Sequence, residues 1–481
     1  MAKNSIRYAG DFYIEEIQLL TIKGGSIDLK DIISTIDIYE DIGTHAITGS
    51  ISFVDTNNLV YNGPIIGQER LYLKVYTPQD SPTDETVIDF TKNTLYINRI
   101  ISVTDLNDQT KVVTLSFTTQ DIYMNSRVRV SKSYTGEPST IIKKILRSPT
   151  LLDSKKKLFF EETPNNYKFV VGNMRPFSAI NMIAQRSLSS THGLAPSYLF
   201  FETSFGYHFR SVDSLFDQPN VKAIFREHNP TILNEKSEKN YQADMENLRQ
   251  LSVTNAQDSF LNTRMGMYSS NIIIYDWYSK SIKKKKFNYL DDFAKDKHAQ
   301  QNAAEGSPNP LISEAKEFGD KRLSDFPDSI LFVQGTILDG IVDKNYYELE
   351  GATHVDYKNP YEGNNVDKWC MRRRSRLAQL ESGTTLQVEV VGRTNIQAGD
   401  IVEVEVPSSS TVTTDNHNKY LSGRYLIKQL HHSFSTKGGD SVHVCQMTLV
   451  KDDVGEAYPS AGTGPGGSAW TDAGDSANQA V

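Results

Sequence analysis

Cys370 and Arg376 stand at the C-x5-R spacing of cysteine phosphatases, in which a loop of inward-facing backbone amides at the start of a helix holds a thiolate. Here Met371, Arg372, Arg373, Arg374 and Ser375 fall inside a predicted helix without a glycine, so the reading that fits is a packed Trp369 beside a solvated arginine face. His431 and His432 lie on one predicted strand, and His443 and Cys445 on its hairpin partner; together they offer the nitrogen and sulfur donors of a metal site. Strand geometry opposes all four acting at once, because adjacent His431 and His432 point to opposite faces and leave at most three together. The expectation is core or interface histidines, with no metal and no cofactor.

Lys283 to Lys286 could meet phosphate, but four lysines between Ile282 and Phe287 more often protect a hairpin or sheet edge from unwanted pairing. Glu161-Glu162 and Asp291-Asp292 supply carboxylates, yet sequence neighbours rarely make an acid and base pair at hydrolase separation. Gly462, Gly464 and Gly467 satisfy G-x-G-x-x-G within a Gly- and Ser-rich tail, where the pattern is composition rather than a phosphate cradle. No nucleophile elbow with Ser, His and Asp is visible, so the chain is expected not to be an enzyme.

The elements that carry these residues are mostly strands. From Thr384 to Asp452 the chain reads as an antiparallel module: Leu386 to Val390, a turn at Gly399, Val402 to Val406, then a hairpin of Gly423 to Ile427 with Val442 to Met447. The same order occurs near the N-terminus as Ile51 to Val54, a turn at Gly67, Leu71 to Tyr76, and Leu95 to Ile100 with Val112 to Phe117. A duplicated β module is the expectation.

Between the modules the period changes. Pro138 opens a helix with Ile141, Ile142, Ile145 and Leu146 on one face, and Pro176 precedes a second from Phe177 to Ser189. Tyr198 to Glu202 and Tyr207 to Arg210 flank a turn at Gly206. Tyr241 to Leu251 has helical spacing, a strand pair follows from Gly266 to about Tyr289, Ala294 to Asp328 reads as a polar loop with short helical pieces, and Val366 to Leu380 as a basic helix. The fold class expected is mainly β: two similar antiparallel β-barrels, an α+β insert and a polar insertion. The boundaries expected are 1–133 for the first barrel, 134–222 for the insert, 223–293 with 381–454 for the second barrel, 294–380 for the insertion and 455–481 for a flexible tail.

With 481 residues, several domains fit in the chain, and 38% hydrophobic with 23% charged residues describes a soluble globular protein. Two cysteines cannot form a disulfide framework, and no apolar leader follows Met1, so synthesis and assembly in a cytoplasm are expected. A net charge of −8 argues against a surface that grips nucleic acid and suits a conduit for it better.

Several stretches together resemble the baseplate hub proteins of T4-like contractile-tailed phages, a fold shared with other contractile injection systems. They are Gly399-Asp400-Ile401-Val402, Ser422 to Ile427 followed by His431, Met447 to Asp452, Lys168 to Val171 with Arg175 to Asn181, Gly206 to Ser211 and Gly266 to Ser270. The resemblance spans roughly Asp11 to Asp452 and implies a virion tail protein. It implies a homotrimer forming a pseudo-six-fold ring between a hexameric tail tube and a central spike, beside other baseplate proteins such as wedge or tail lysozyme. DNA would pass through the channel without specific binding, and no membrane is involved. Leu71, Leu73, Val75, Val402, Val404, Asn107 and Gly438 are the expected ring-building positions. The polar segment 294–328 and the Gly-rich tail have no role that carries over, and no lysozyme-like domain is present.

Two other classes remain. A tail-associated host-recognition or carbohydrate-binding β protein would need exposed aromatic platforms, for which Tyr198, Tyr207, Tyr275, Trp277 and Tyr278 are the candidates. A cell-wall hydrolase would show a clearing band in peptidoglycan zymography.

Overall fold

The computed structural model describes residues 9–455 apart from 23, 58, 60–64, 79–85, 108–109, 165, 227–243, 256–257, 278–279, 303–307, 317, 337–363, 365, 407–417, 419 and 437–440. The first module contains β1 (Tyr13–Leu20), β2 (Ser26–Asp28), β3 (Ile33–Asp41), β4 (Thr48–Asp55), β5 (Arg70–Tyr76), β6 (Val87–Asp89), β7 (Leu95–Asn107) and β8 (Thr110–Thr119). Its main strand order is β3-β4-β8-β7-β5-β1. Alternating residues of β1 and β3, including Ile17, Leu19, Ile36 and Ile38, enter one core with Leu71, Leu115 and Phe117. The two ends of this sheet therefore curl toward each other as a barrel.

An α+β insert follows: α1 (Gln120–Arg127), β9 (Val130–Gly136), α2 (Pro138–Arg147), β10 (Leu158–Phe160), β11 (Tyr167–Met174), α3 (Pro176–Ala184), β12 (Tyr198–Thr203), β13 (Gly206–Ser211) and α4 (Val212–Phe216). Pro138 and Pro176 sit in the first turns of α2 and α3, where a missing N–H costs nothing. The apolar faces of both helices meet Phe200, Tyr207 and Phe209 in a separate core.

The second module takes β14 (Ile224–Arg226) and β15 (Leu248–Asn255) from before, and β19 (Thr384–Val391), β20 (Ile401–Glu405), β21 (Gly423–Ser435) and β22 (Val442–Lys451) from after, a third sheet. Its order is β15-β19-β22-β21-β20-β14, and a bridge between Arg226 and Asn247 brings the two ends together around a core of Val388, Val402, Val404, Tyr425 and Met447. The third sheet is β17-β16-β18, formed by β16 (Ser269–Asp276), β17 (Ser281–Asn288) and β18 (Leu331–Thr336), and it packs with α5 (Val366–Ser382). Expected as part of the second barrel, the hairpin of β16 and β17 instead pairs with β18, because its apolar face, Ile272 and Ile274, is covered by α5 residues such as Met371.

The helix expected over Tyr241 to Leu251 is replaced from Leu248 onward by β15. A bulge between Leu248 and Gln250 shifts the alternation, so that Leu248 and Leu251 stand at a helical interval while the backbone is extended.

The duplication extends to hydrogen-bond register. β7 and β21 are each 13 residues long, β8 and β22 each 10. The β7·β8 ladder is bulged between Ile97 and Arg99, and β21·β22 between Ile427 and Gln429. Likewise β3·β4 is bulged between Ile33 and Thr35, and β15·β19 between Leu248 and Gln250. Gly67 and Gly399 both take positive φ, 85° and 91°, in the turns before β5 and β20, a conformation in which a side chain is strained. Just after each turn, Ile97 N–H donates to Glu69 O and Ile427 N–H to Asp400 O, both at 2.9 Å. The modules differ at one end, where β1 lies antiparallel to β5 and β14 parallel to β20.

Candidate assembly interface

The two barrels share one sheet. The second half of β21, Gln429 to Ser435, pairs antiparallel with Asp41 to Thr35 of β3, so the edge strand of the first barrel completes the ladder of the second. The counterpart of β21 in the first module is β7, and the counterpart of β3 in the second is β15. Beyond Tyr96 no described strand pairs with the outer edge of β7, and none pairs with the outer edge of β15 away from β19. The half of β7 concerned is exposed and carries Ile101, Val103 and Leu106; Val253 is exposed on β15. Long edges with apolar side chains invite pairing with another chain.

Buried polar groups fix the internal junction. Glu40 of β3 accepts hydrogen bonds from Ala398 N–H at 3.0 Å and from Ser204 N–H and Oγ at 2.7 and 2.5 Å, so one carboxylate ties both modules and the insert. Burial pushes its pKa up to about 7, and burial pushes that of Asp400, in the adjoining turn, up to about 6. On the opposite face of β3, His431 Nε2 lies 2.9 Å from Asp37 Oδ1, and its ring stacks on Tyr39 at 4.3 Å. His45 bridges Phe200 O at 2.9 Å and Asn181 at 2.8 Å, joining the first barrel to the insert.

α5 is held as firmly. Arg376 is 1% exposed; it donates to Asp452 Oδ2 at 2.5 Å, Gln379 Oε1 at 2.7 Å and Lys297 O at 2.6 Å, with Asp213 and Asp296 each 3.9 Å away. His298 Nδ1 lies 2.9 Å from the same Asp452 oxygen. Burial opposes charge on Asp452, but His298 and Arg376 outweigh it and hold the pKa down at about 2.

The arginines expected to form a solvated face are therefore ties to neighbouring elements: Arg372 to Asp296, Arg373 to Pro196 O and Tyr198 O, Arg374 to Met265 O. Cys370 lies within α5 itself, where burial raises its thiol pKa, and no amide loop surrounds it among the described residues. Nothing in the sequence marks Arg376 as the buried one of the four, because its acidic partners come from positions 213, 296 and 452.

The three inward-facing donors converge where the barrels join. His432 Nδ1 is 3.1 Å from His443 Nε2 and 3.2 Å from Cys445 Sγ, and that sulfur is 3.5 Å from His443 Nε2. All three side chains are buried. Burial lowers the His432 pKa to about 3 and that of His443 well below its ordinary value, and raises the Cys445 thiol to about 12.

No protein-family model and no curated protein matches the chain. Solved structures are similar to it along most of its length. A prophage tail protein from Shewanella oneidensis is 10% identical, with 92% of this chain and 100% of that one covered and a TM-score of 0.47. A tail protein from Neisseria meningitidis is 12% identical, with 93% and 99% covered and a TM-score of 0.48. An Escherichia coli component of the type VI secretion system, described as structurally similar to the T4 tail proteins gp27 and gp5, is 10% identical, with 94% and 79% covered and a TM-score of 0.38.

The remaining candidates fall into place individually. Leu71, Leu73, Val75, Val402 and Val404 are fully buried in the two cores of the chain, and their strands are flanked on both sides. Asn107 ends β7 at the open edge, and Gly438 lies outside the described residues. Lys283 to Lys286 lie on β17, an edge strand, with Lys283 bonded to Asp367 at 2.6 Å. Glu161 is buried, accepting from Ser189 Oγ and Ser211 N–H; Asp291 and Asp292 make surface pairs with Arg322 and Lys295. Of the aromatic candidates, Tyr198 and Tyr207 are core residues, Tyr275 and Trp277 are exposed, and Tyr278 lies outside the described residues. The Gly462, Gly464 and Gly467 pattern lies outside them too. Among the described residues no helix is long and apolar enough to cross a membrane.

Proposed function

We propose that this chain is a structural baseplate hub protein of a contractile phage tail. Three copies close a ring of six modules that joins the hexameric tail tube to the central spike and leaves a channel for DNA ejection. The reading rests on one observation: a junction of the form β3 to β21 is filled once inside the chain, while its two halves, β7 and β15, stand open among the described residues at opposite ends of the tandem pair. Pairing β15 of one copy with β7 of the next repeats the internal contact with the same direction around the ring. Such head-to-tail contacts close when the rotation divides a full turn.

The face of the shared sheet away from the cores suits a conduit. At the junction it carries Ser50, Ser52, Thr114, Ser433, Gln446 and Thr448, with the carboxylates Asp37 and Glu389, and offers few cations to hold phosphate. The role is structural; the titratable groups that suggested catalysis are engaged in packing and ion pairs.

The registers map Val103 onto His432 and Val253 onto Ile38, which are partners in the internal junction. The test is a Val103→Cys, Val253→Cys double variant of the full chain, oxidised at micromolar concentration. Covalent head-to-tail oligomers ending at three chains are expected, with neither single variant cross-linking, since paired strand positions lie within disulfide reach. Sedimentation showing only monomer, with spike protein present, overturns the reading.

A further inference from the structure

We infer that His432, His443 and Cys445 form a buried structural site for a zinc-class ion at the seam between the two barrels. The geometry of the donors carries this. They form a triangle with sides of 3.1, 3.2 and 3.5 Å. A circle through such a triangle has a radius of about 1.9 Å, so an ion at ~2.0–2.3 Å from nitrogen and sulfur sits just off the plane of the donors, as in a tetrahedral site with one direction open. Two imidazoles and a thiolate are donors that zinc accepts and that magnesium or calcium does not favour.

The surroundings hold the donors in place. His432 and Cys445 are register partners across β21·β22, and His443 lies two residues from Cys445 on the same face. The Phe434 ring stacks on His443 at 4.0 Å. The His443 backbone is tied on both sides, its N–H to Gly10 O at 2.8 Å and its carbonyl to Gly392 N–H at 2.9 Å. Its ring lies so close over Gly392 that a Cβ there would stand 2.1 Å from it.

The fold itself does not require donors at these positions. By the register of the repeat, Val103, Lys111 and Val113 are their counterparts in the first module. His432 also faces Ile38 across the β21·β3 ladder, so an ion there would brace the one inter-barrel junction that lies within a chain. Binding would release the Cys445 thiol proton as the thiolate coordinates, and would be coupled to folding because the three donors meet only in the folded chain.

The test uses the full chain expressed with added Zn²⁺ or, separately, Co²⁺, gel-filtered and analysed by inductively coupled plasma mass spectrometry. About one ion per chain is expected, with a thiolate-to-cobalt charge-transfer band in the Co²⁺ form. Cys445→Ala should lose both, and His431→Ala, on the opposite face, should keep both. Fewer than about 0.1 ions per chain in both media, or equal metal content in Cys445→Ala, overturns the inference. Should Cys445→Ala fail to fold, the unaltered chain decides through its Co²⁺ spectrum: a bound ion without a thiolate band rejects the site. None of these readouts depends on ring formation, so the outcome is separable from that of the proposed function.

Discussion

The Glu40 carboxylate accepts the Ala398 N–H at 3.0 Å from a position 358 residues away in the chain, and its other oxygen takes both donors of Ser204. A single buried acid thus joins the first barrel, the insert and the second barrel. Glu40→Ala leaves these donors without an acceptor and should cost about 2–4 kcal/mol in denaturant unfolding. A change below 0.5 kcal/mol would show that the junction does not depend on it.

The same group gives a pH signature. Burial raises the folded pKa of Glu40 to about 7 and of Asp400 to about 6, above their ordinary values of 4.5 and 3.8. The folded state therefore holds more protons across that window, and the contribution of these groups is full below about pH 4 and lost as pH rises toward 7. Melting temperature should fall from pH 5 to pH 7, and Glu40→Gln should reduce that slope. An unchanged slope in the variant contradicts the assignment.

The modules themselves are legible in the sequence, because strand alternation and the turn glycines Gly67 and Gly399 are local signals. Their junction is not. Gln429 meets Asp41 across 388 residues, and no periodicity marks which edge strand completes which barrel. For the same reason five of the seven expected ring-building positions lie on β5 and β20, whose alternation is clear but whose apolar side chains serve the cores, while Asn107 lies on the open edge of β7. The arginines of α5 read as a solvated face in the sequence because the acidic partners that bury Arg376 come from distant positions. Alternation correctly separated His431 from His432, but it could not show that the three donors remaining would meet at 3.1–3.5 Å.

Arg376 supplies a prediction that separates burial from sequence motif. Replacing it with Met strands Asp452 without its arginine partner in a closed site, and a loss of roughly 3–5 kcal/mol is expected. Lysine should not restore it, since the guanidinium bonds three separate acceptors. Cys370→Ala, at the other end of the C-x5-R spacing and only half-buried, should change stability by less than about 1 kcal/mol. Comparable losses in both variants would mean that the two residues act together after all.

The lysines of β17 should matter for solubility rather than for stability. Lys284 and Lys286 pair in register with Ile273 and Asn271 on a strand whose other side is open among the described residues. Changing both to Val should leave the melting temperature within a few degrees while raising light scattering on concentration, because the edge loses its charge. Equal scattering by the variant and the unaltered chain would assign these lysines another role.

The open edges allow a charge-swap test of assembly. Val103 on β7 and Val253 on β15 take the places of the facing partners His432 and Ile38, and both are exposed in the single chain, at 38% and 45%. If the edges pair between copies, Val103→Lys with Val253→Lys sets two like charges directly opposite each other in every intermolecular junction and should shift sedimentation to monomer. Val103→Lys with Val253→Glu places opposite charges there and should recover the trimer, with a circular dichroism spectrum unchanged in both. Equal assembly of the two double variants would mean that β7 and β15 do not meet, because only a direct pairing makes the sign of the second charge matter.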